Sequence, residues 1–267
     1  MSIIESYCQG KTKNPLECED VLVIGKDFYA VIDGVTSKSS IKRDGKTLGR
    51  FCAELLHKEI LSLDKNADCN EALFALDKAV KKAYGDFSPS YEDRMQACVI
   101  IYSKAKGEIW SYGDCQLMIN QRVFDHSKSI DKVTEGLRAL VISTYLQEGG
   151  DKEALFENDI GREAILPYLK KQSLFANKDG YFGYGVIDGT GINSSLVKRY
   201  TVKSGDFVVL ASDGYPRIFQ SLEESEEYLR WAMEIDPLSI KENMQTKMKK
   251  RENLSFDDRA YLSFIVD

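Results

Sequence analysis

The apolar run from Phe28 to Ile32 is short, rich in aromatic and β-branched residues, and stops at Asp33-Gly34. That pattern predicts a buried strand with a carboxylate at its end. Val21 to Ile24 is a second such run, separated from the first by the turn Gly25-Lys26-Asp27, so the two predict a hairpin. The hairpin would bring Glu19 and Asp20 close to Asp33 and Gly34. Residues 2–8 predict an earlier strand, and Gly10 to Leu16 a polar loop containing Asn14-Pro15.

The period then changes. Leu48, Phe51, Cys52, Leu55, Leu56 and Ile60 recur at helical spacing, as do Ala72, Leu73, Leu76, Val80 and Ala83. Asp68 with Glu71 reads as a capping box for the second helix. Strands are predicted again at Cys98 to Tyr102, Glu108 to Tyr112 and Gln116 to Asn120. Residues 130–172 predict two helices separated by Gly149-Gly150; Val133, Leu137, Leu140, Val141 and Tyr145 share one face of the first. Phe182 to Ile187 and Ser195 to Val202 predict a hairpin around a turn at Asp188 to Gly191. Phe207 to Ala211 is a fully apolar strand closed by Ser212-Asp213-Gly214. Two short helices follow, the second with Asp236 as N-cap and Pro237 in its first turn. Ala260 to Val266 is the last strand, preceded by Asp257-Asp258.

Strands come in groups and do not alternate strictly with helices. This predicts an α+β fold: two stacked, mainly antiparallel β-sheets flanked by helices, a four-layer α-β-β-α sandwich. There is no internal repeat, linker or low-complexity segment, so residues 1–267 are expected to form one domain.

Composition narrows the functional classes. A net charge of -6 and a pI near 5.2 argue against a nucleic-acid partner. Hydrophobic content of 43% and a mean hydropathy of -0.32 fit a globular chain with a substantial core. No apolar run is long enough to span a bilayer, and Met1 to Ser6 lacks the basic and apolar regions of a signal peptide. The six cysteines are scattered, with no Cys-x-x-Cys pair, which points to reduced thiols. A cytoplasmic protein without a membrane partner is the expectation. Oligomeric state is not legible.

Carboxylates recur at the ends of apolar strands: Glu19 or Asp20, Asp33, Asp114, Asp213 and Asp257. Each alone also suits a turn. If the strand ends meet at one edge, several negative charges share a small volume, which is unfavourable without a cation. Hard oxygen donors and few histidines favour Mg²⁺ or Mn²⁺ over zinc. His57 and His126 are expected to be solvated.

Four ordered segments resemble the metal-dependent Ser/Thr protein phosphatases of the type 2C, or PPM, family. They are Glu19-Asp20, the run from Phe28 to Gly34, the run from Gly205 to Gly214 (GDFVVLASDG), and the run from Asp257 to Val266. Trp110 to Cys115 is similar to the family's central Gly-Asp-Ser segment. The resemblance implies a β-sandwich flanked by helices that hydrolyses phosphoserine and phosphothreonine in proteins by a hydroxide bridging two divalent metals. It also implies roles. Asp33 would bridge two metals and the Gly34 carbonyl would be a ligand. Asp213 and Asp257 would complete the first metal. Glu19 would serve the second, with Asp20 bonding to its water. Asp114 would help hold a third, weaker metal.

The departures are specific. The family's Asp-Gly-His becomes Asp33-Gly34-Val35, so its candidate general acid is missing; a metal-bound water is one replacement. The family's phosphate-binding arginine falls on Pro15, with Lys13 or Lys11 as substitutes, although lysine lacks the bidentate fork. The usual Asp-Asn is Asp257-Asp258. These departures raise two alternatives: a pseudophosphatase that acts by binding a partner, and a phosphatase of small phosphoesters. The segment 125–180 is expected to shape substrate access.

Overall fold

The computed structural model describes residues 2–37 and 40–267. One sheet has the strand order β1 (Ser2–Gln9), β12 (Arg259–Ile265), β11 (Phe207–Ala211), β8 (Gln116–Ile119), β9 (Arg122–Phe124). The other has the order β10 (Lys198–Thr201), β7 (Glu108–Tyr112), β6 (Ala97–Ser103), β3 (Phe28–Gly34), β2 (Asp20–Ile24). Every ladder in both is antiparallel. A small hairpin, β4 (Lys42–Arg43) with β5 (Lys46–Thr47), lies between β3 and the first helix.

Strand alternation divides β3 between two cores. Phe28, Ala30 and Ile32 face α1 (Leu48–Ser62) and α2 (Cys69–Tyr84), joining Leu56, Ile60, Leu73, Leu76 and Trp110. Tyr29 and Val31, with Ile100 of the neighbouring β6, face the opposite sheet, where Leu210, Leu262 and Phe264 meet them. Both faces of β3 are therefore apolar, as its unbroken run predicts. Each such aliphatic side chain contributes about 1.5–3 kcal/mol by leaving water. The expected capping box holds: Asp68 accepts from the amides of Asn70 and Glu71, and Glu71 accepts from that of Asp68.

The outer face of the first sheet packs Val209, Ala211 and Tyr261 against α6 (Leu222–Ile235) through Leu229. The layers are thus α1/α2, sheet, sheet and α6, which agrees with the expected α+β sandwich. The second helix expected on this side does not form. Asp236 ends α6, and its buried carboxylate accepts from the amides of Ile240, Lys241 and Asn243, at 3.1, 2.7 and 3.3 Å. The N-capping chemistry is present, but it closes a loop instead of starting a helix.

Two other expectations change. Residues 130–172 form three helices: α3 (Ser129–Gln147), α4 (Lys152–Glu157) and α5 (Ile160–Lys171). The buried face of α3 is Ile130, Thr134, Arg138, Ala139 and Ile142, while Val133, Leu137 and Leu140 are exposed. Gly161 permits this packing, because its missing side chain lets α5 close onto Arg138 and Ile142. Tyr184 to Ile187 is buried and Phe182 is exposed, and the segment 182–187 is not a strand partner of 195–202; β10 pairs with β7 instead. The turn at Asp188 is as expected, with a fully buried carboxylate that accepts from Thr190, Asn177 and Arg94. Among the described residues no helix is long and apolar enough to cross a membrane.

Candidate metal centre

The β2–β3 register places Asp20 directly opposite Asp33. At the end of β3 the Gly34 amide donates to the Glu19 carbonyl at 3.2 Å. A Cβ at Gly34 would stand 2.5 Å from the Gly49 carbonyl oxygen and 2.6 Å from that of Glu19. Gly34→Ala is therefore expected to destabilise the protein by about 3 kcal/mol through forced separation of backbone segments. Urea denaturation that shows a loss of less than about 1 kcal/mol would contradict the close approach.

Two further carboxylates arrive from the other sheet. The Ala260 amide donates to Ser212 Oγ at 2.9 Å, which ties the end of β11 to the start of β12. Asp213 follows directly. A Cβ at Gly214 would fall on the Asp258 carbonyl oxygen, so this second Asp-Gly also needs its glycine for contact. Asp33, Asp213 and Asp114 each offer an oxygen within 4.8 Å of the others. Asp20, Gly34 and Asp257 line the same cavity. Strand ends far apart in sequence therefore converge where the two sheets meet.

Glu19 sits behind this group, and Asp258 lines the cavity beside Asp257. Glu19 is buried, does not line that cavity, and accepts from the hydroxyls of Thr36 and Thr47 at 2.5 and 2.6 Å. Asp258 accepts from the amides of Lys11 and Glu19, at 2.7 and 3.1 Å, and from Lys11 Nζ at 3.1 Å. Where the resembling family has an amide, this charge fastens the first loop to the last strand.

Burial, then repulsion from neighbouring carboxylates, pushes Asp20 and Asp33 well above the usual carboxylate range. Asp213 moves the same way for the same causes, softened by its exposure to cavity water. Asp20 Oδ2 is buried and has no hydrogen-bond partner. An all-oxygen donor set with an unsatisfied buried oxygen fits a hard divalent cation.

Three lysines oppose this charge. Lys11 Nζ lies 3.2 Å from Asp257 and 3.6 Å from Glu19; Lys247 Nζ lies 2.5 Å from Asp257. Burial disfavours the Asp257 carboxylate, but Lys247 and Lys11 outweigh it and hold its pKa below the usual range. Lys128 Nζ lies 2.6 Å from Asp114, and the same balance lowers the Asp114 pKa. Of the two substitutes offered for the arginine at Pro15, Lys11 reaches the site and Lys13 is exposed.

Lys128, Glu135 and Arg162 also line the cavity, and nothing in their sequence context singles them out. All three belong to the 125–180 segment, so that segment does shape the cleft. Burial and Asp131 push Glu135 up to about 7. His126 is not solvated: it is buried among Ser111, the Cys115 carbonyl and Tyr200.

No family profile matches the sequence, and neither does any curated protein. Solved structures do resemble it. The serine/threonine phosphatase PstP/Ppp of Mycobacterium tuberculosis aligns over 100% of both chains with a TM-score of 0.51 and 11% identity. The catalytic domain of PstP in complex with two manganese ions aligns over 99% of each chain, with a TM-score of 0.51 and 12% identity. The molecule thus has the fold of the PPM-type serine/threonine phosphatases.

Proposed function

We propose that residues 1–267 form one divergent PPM-type domain that hydrolyses phosphoserine and phosphothreonine in proteins with two Mg²⁺ or Mn²⁺ ions. The observation that carries this reading is the meeting of Asp33 and Asp213, from opposite sheets, within 4.8 Å. Asp33, the Gly34 carbonyl, Asp213 and Asp257 would hold one ion. Asp33, with Glu19 and Asp20 behind it, would serve the other. When bound, such a pair lowers the pKa of water and neutralises phosphoryl oxygens.

This chain's own residues supply the rest. Arg162 lines the cavity with its guanidinium anchored on the Thr246 carbonyl at 2.8 Å, and it replaces the arginine lost at Pro15 as the phosphoryl contact. Glu135, protonated part of the time near neutrality, is the candidate donor to the leaving oxygen.

Turnover of a phosphopeptide and an aryl phosphate, with and without chelator, tests the reading. Activity that requires Mn²⁺ or Mg²⁺ is expected; activity indifferent to chelator would overturn it. Preference for a phosphorylated metabolite over the peptide would move the substrate to small phosphoesters. A partner-binding pseudophosphatase is the second reading. It is favoured by the lysines on Asp114 and Asp257, which neutralise carboxylates without a metal.

Mn²⁺ should raise the melting temperature, because the ion binds the folded state and relieves carboxylate repulsion. At one hundred times Kd the gain is about 2.7 kcal/mol. Asp20, Asp33 and Asp213 have raised folded pKa values. Their contribution to metal-free stability is present below the unfolded carboxylate pKa of about 4 and is lost as pH rises through the raised values. The Mn²⁺-induced gain should therefore grow with pH and shrink toward about pH 5, where protons compete for the same oxygens. A gain independent of pH, in melts run across that range, would place the ion elsewhere.

A further inference from the structure

We propose that Lys128 is a built-in cation: its ammonium supplies at Asp114 the charge that a third divalent ion would bring, so the centre takes up two exchangeable ions. This rests on the phosphatase reading above.

Lys128 is the residue before α3, where the helical segment joins the sandwich. Its side chain does not cap the helix. It turns to Asp114, with Nζ 2.6 Å from Oδ2, 3.4 Å from Asp131 and 5.2 Å from the centre of the Tyr184 ring. Two carboxylates and an aromatic face thus surround one ammonium. The Lys128 side chain is 12% exposed and that of Asp114 is 7% exposed, so the pair is held largely away from water. In that setting the mutual attraction is strong, and removing either partner leaves an uncompensated charge.

Geometry then decides between ammonium and metal. Mg²⁺ and Mn²⁺ bind carboxylate oxygen at about 2.1 Å. An ion on the Lys128-bound oxygen would lie within a few ångströms of Nζ, with two like-signed charges on one oxygen. Asp114 also belongs to the acidic cluster of Asp33 and Asp213, and Lys128 lines the cavity they share. Its charge is thus available to the phosphoryl group. A tethered ammonium is present at any metal concentration, whereas a weak third ion would come and go. The disagreement with the role implied for Asp114 by sequence resemblance is chemical: the carboxylate is there, but its counter-ion is covalently attached.

Mn²⁺ binding measured by isothermal titration and by equilibrium dialysis tests this on the full chain. The parent is expected to bind two ions, and Asp114→Asn, which keeps the side-chain shape, is expected to leave that number unchanged. Lys128→Gln is expected to bind one more, weaker ion; Lys128→Gln with Asp114→Asn should lose it, and Lys128→Arg should stay at two. Aryl-phosphate turnover by Lys128→Gln should fall about tenfold at Mn²⁺ that saturates the parent. It should be regained when Mn²⁺ is raised, but not in the double variant.

A parent that binds three ions and loses one through Asp114→Asn overturns the assignment. So does a Lys128→Gln variant with the parent's stoichiometry and affinity. The titration does not depend on turnover. If the ion counts change as stated while no phosphoester is cleaved, the phosphatase reading fails and the Lys128 assignment stands.

Discussion

Asp213→Asn is expected to make the metal-free protein slightly more stable while removing its response to Mn²⁺. The two effects have opposite signs because the carboxylate acts twice. Without a cation it is one of several acidic groups pressed together: Asp33 and Asp114 lie within 4.8 Å of it, and burial and that repulsion raise its pKa. An amide of the same shape relieves the repulsion. Because Asp213 is open to cavity water, the gain is only about 0.5–1 kcal/mol, or about 1–3 °C in melting temperature. With Mn²⁺ present, the variant lacks an anionic ligand, so the metal-induced gain should vanish and turnover should drop at least about a hundredfold. A variant that melts lower than the parent without metal, or that retains full Mn²⁺-dependent activity, would contradict the assignment.

Arg138→Ala should destabilise the fold by about 3–5 kcal/mol, the cost of breaking a buried ion pair by deleting one partner. Arg138 is fully buried on α3. Its Nε is 3.2 and 3.0 Å from the two oxygens of Asp159, and its Nη2 is 2.9 Å from the second. It also donates to the carbonyls of Leu238, Ser239 and Gln245 at 2.9, 3.0 and 3.1 Å. One guanidinium thus joins α3, the N-cap of α5 and the irregular loop after α6. That loop carries Lys247, which pairs with Asp257. Urea denaturation should show the loss, and Mn²⁺ affinity should weaken as the loop loosens. A loss below about 1 kcal/mol would mean that water or a neighbour satisfies the three carbonyls.

The two variants probe parts of the protein that differ in how well they could be read. Asp213 was legible because it ends an unbroken apolar run and is followed by glycine. Strand, terminus and contact glycine are all local features, and they appear again at Asp33. Arg138 was not legible. The apolar stripe of α3 correctly groups Val133, Leu137 and Leu140, but a stripe does not say what it will face. Only the close contact at Gly161 and the acid and three carbonyls around the guanidinium show that Arg138 lies on the inward face. Asp236 failed in a related way: its preference for nearby amides was correct, but those amides belong to a loop.

The β2–β3 hairpin with its register, the two-sided burial of β3 and the order of the acidic strand ends were determined by the sequence itself, because periodicity and turn chemistry act over a few residues. Tertiary structure alone decided that β10 joins β7, that α3 buries an arginine, and that Lys11, Lys128 and Lys247 stand against the carboxylates. Those outcomes depend on which distant groups compete for the same charge or the same space, and that competition exists only once the chain has closed.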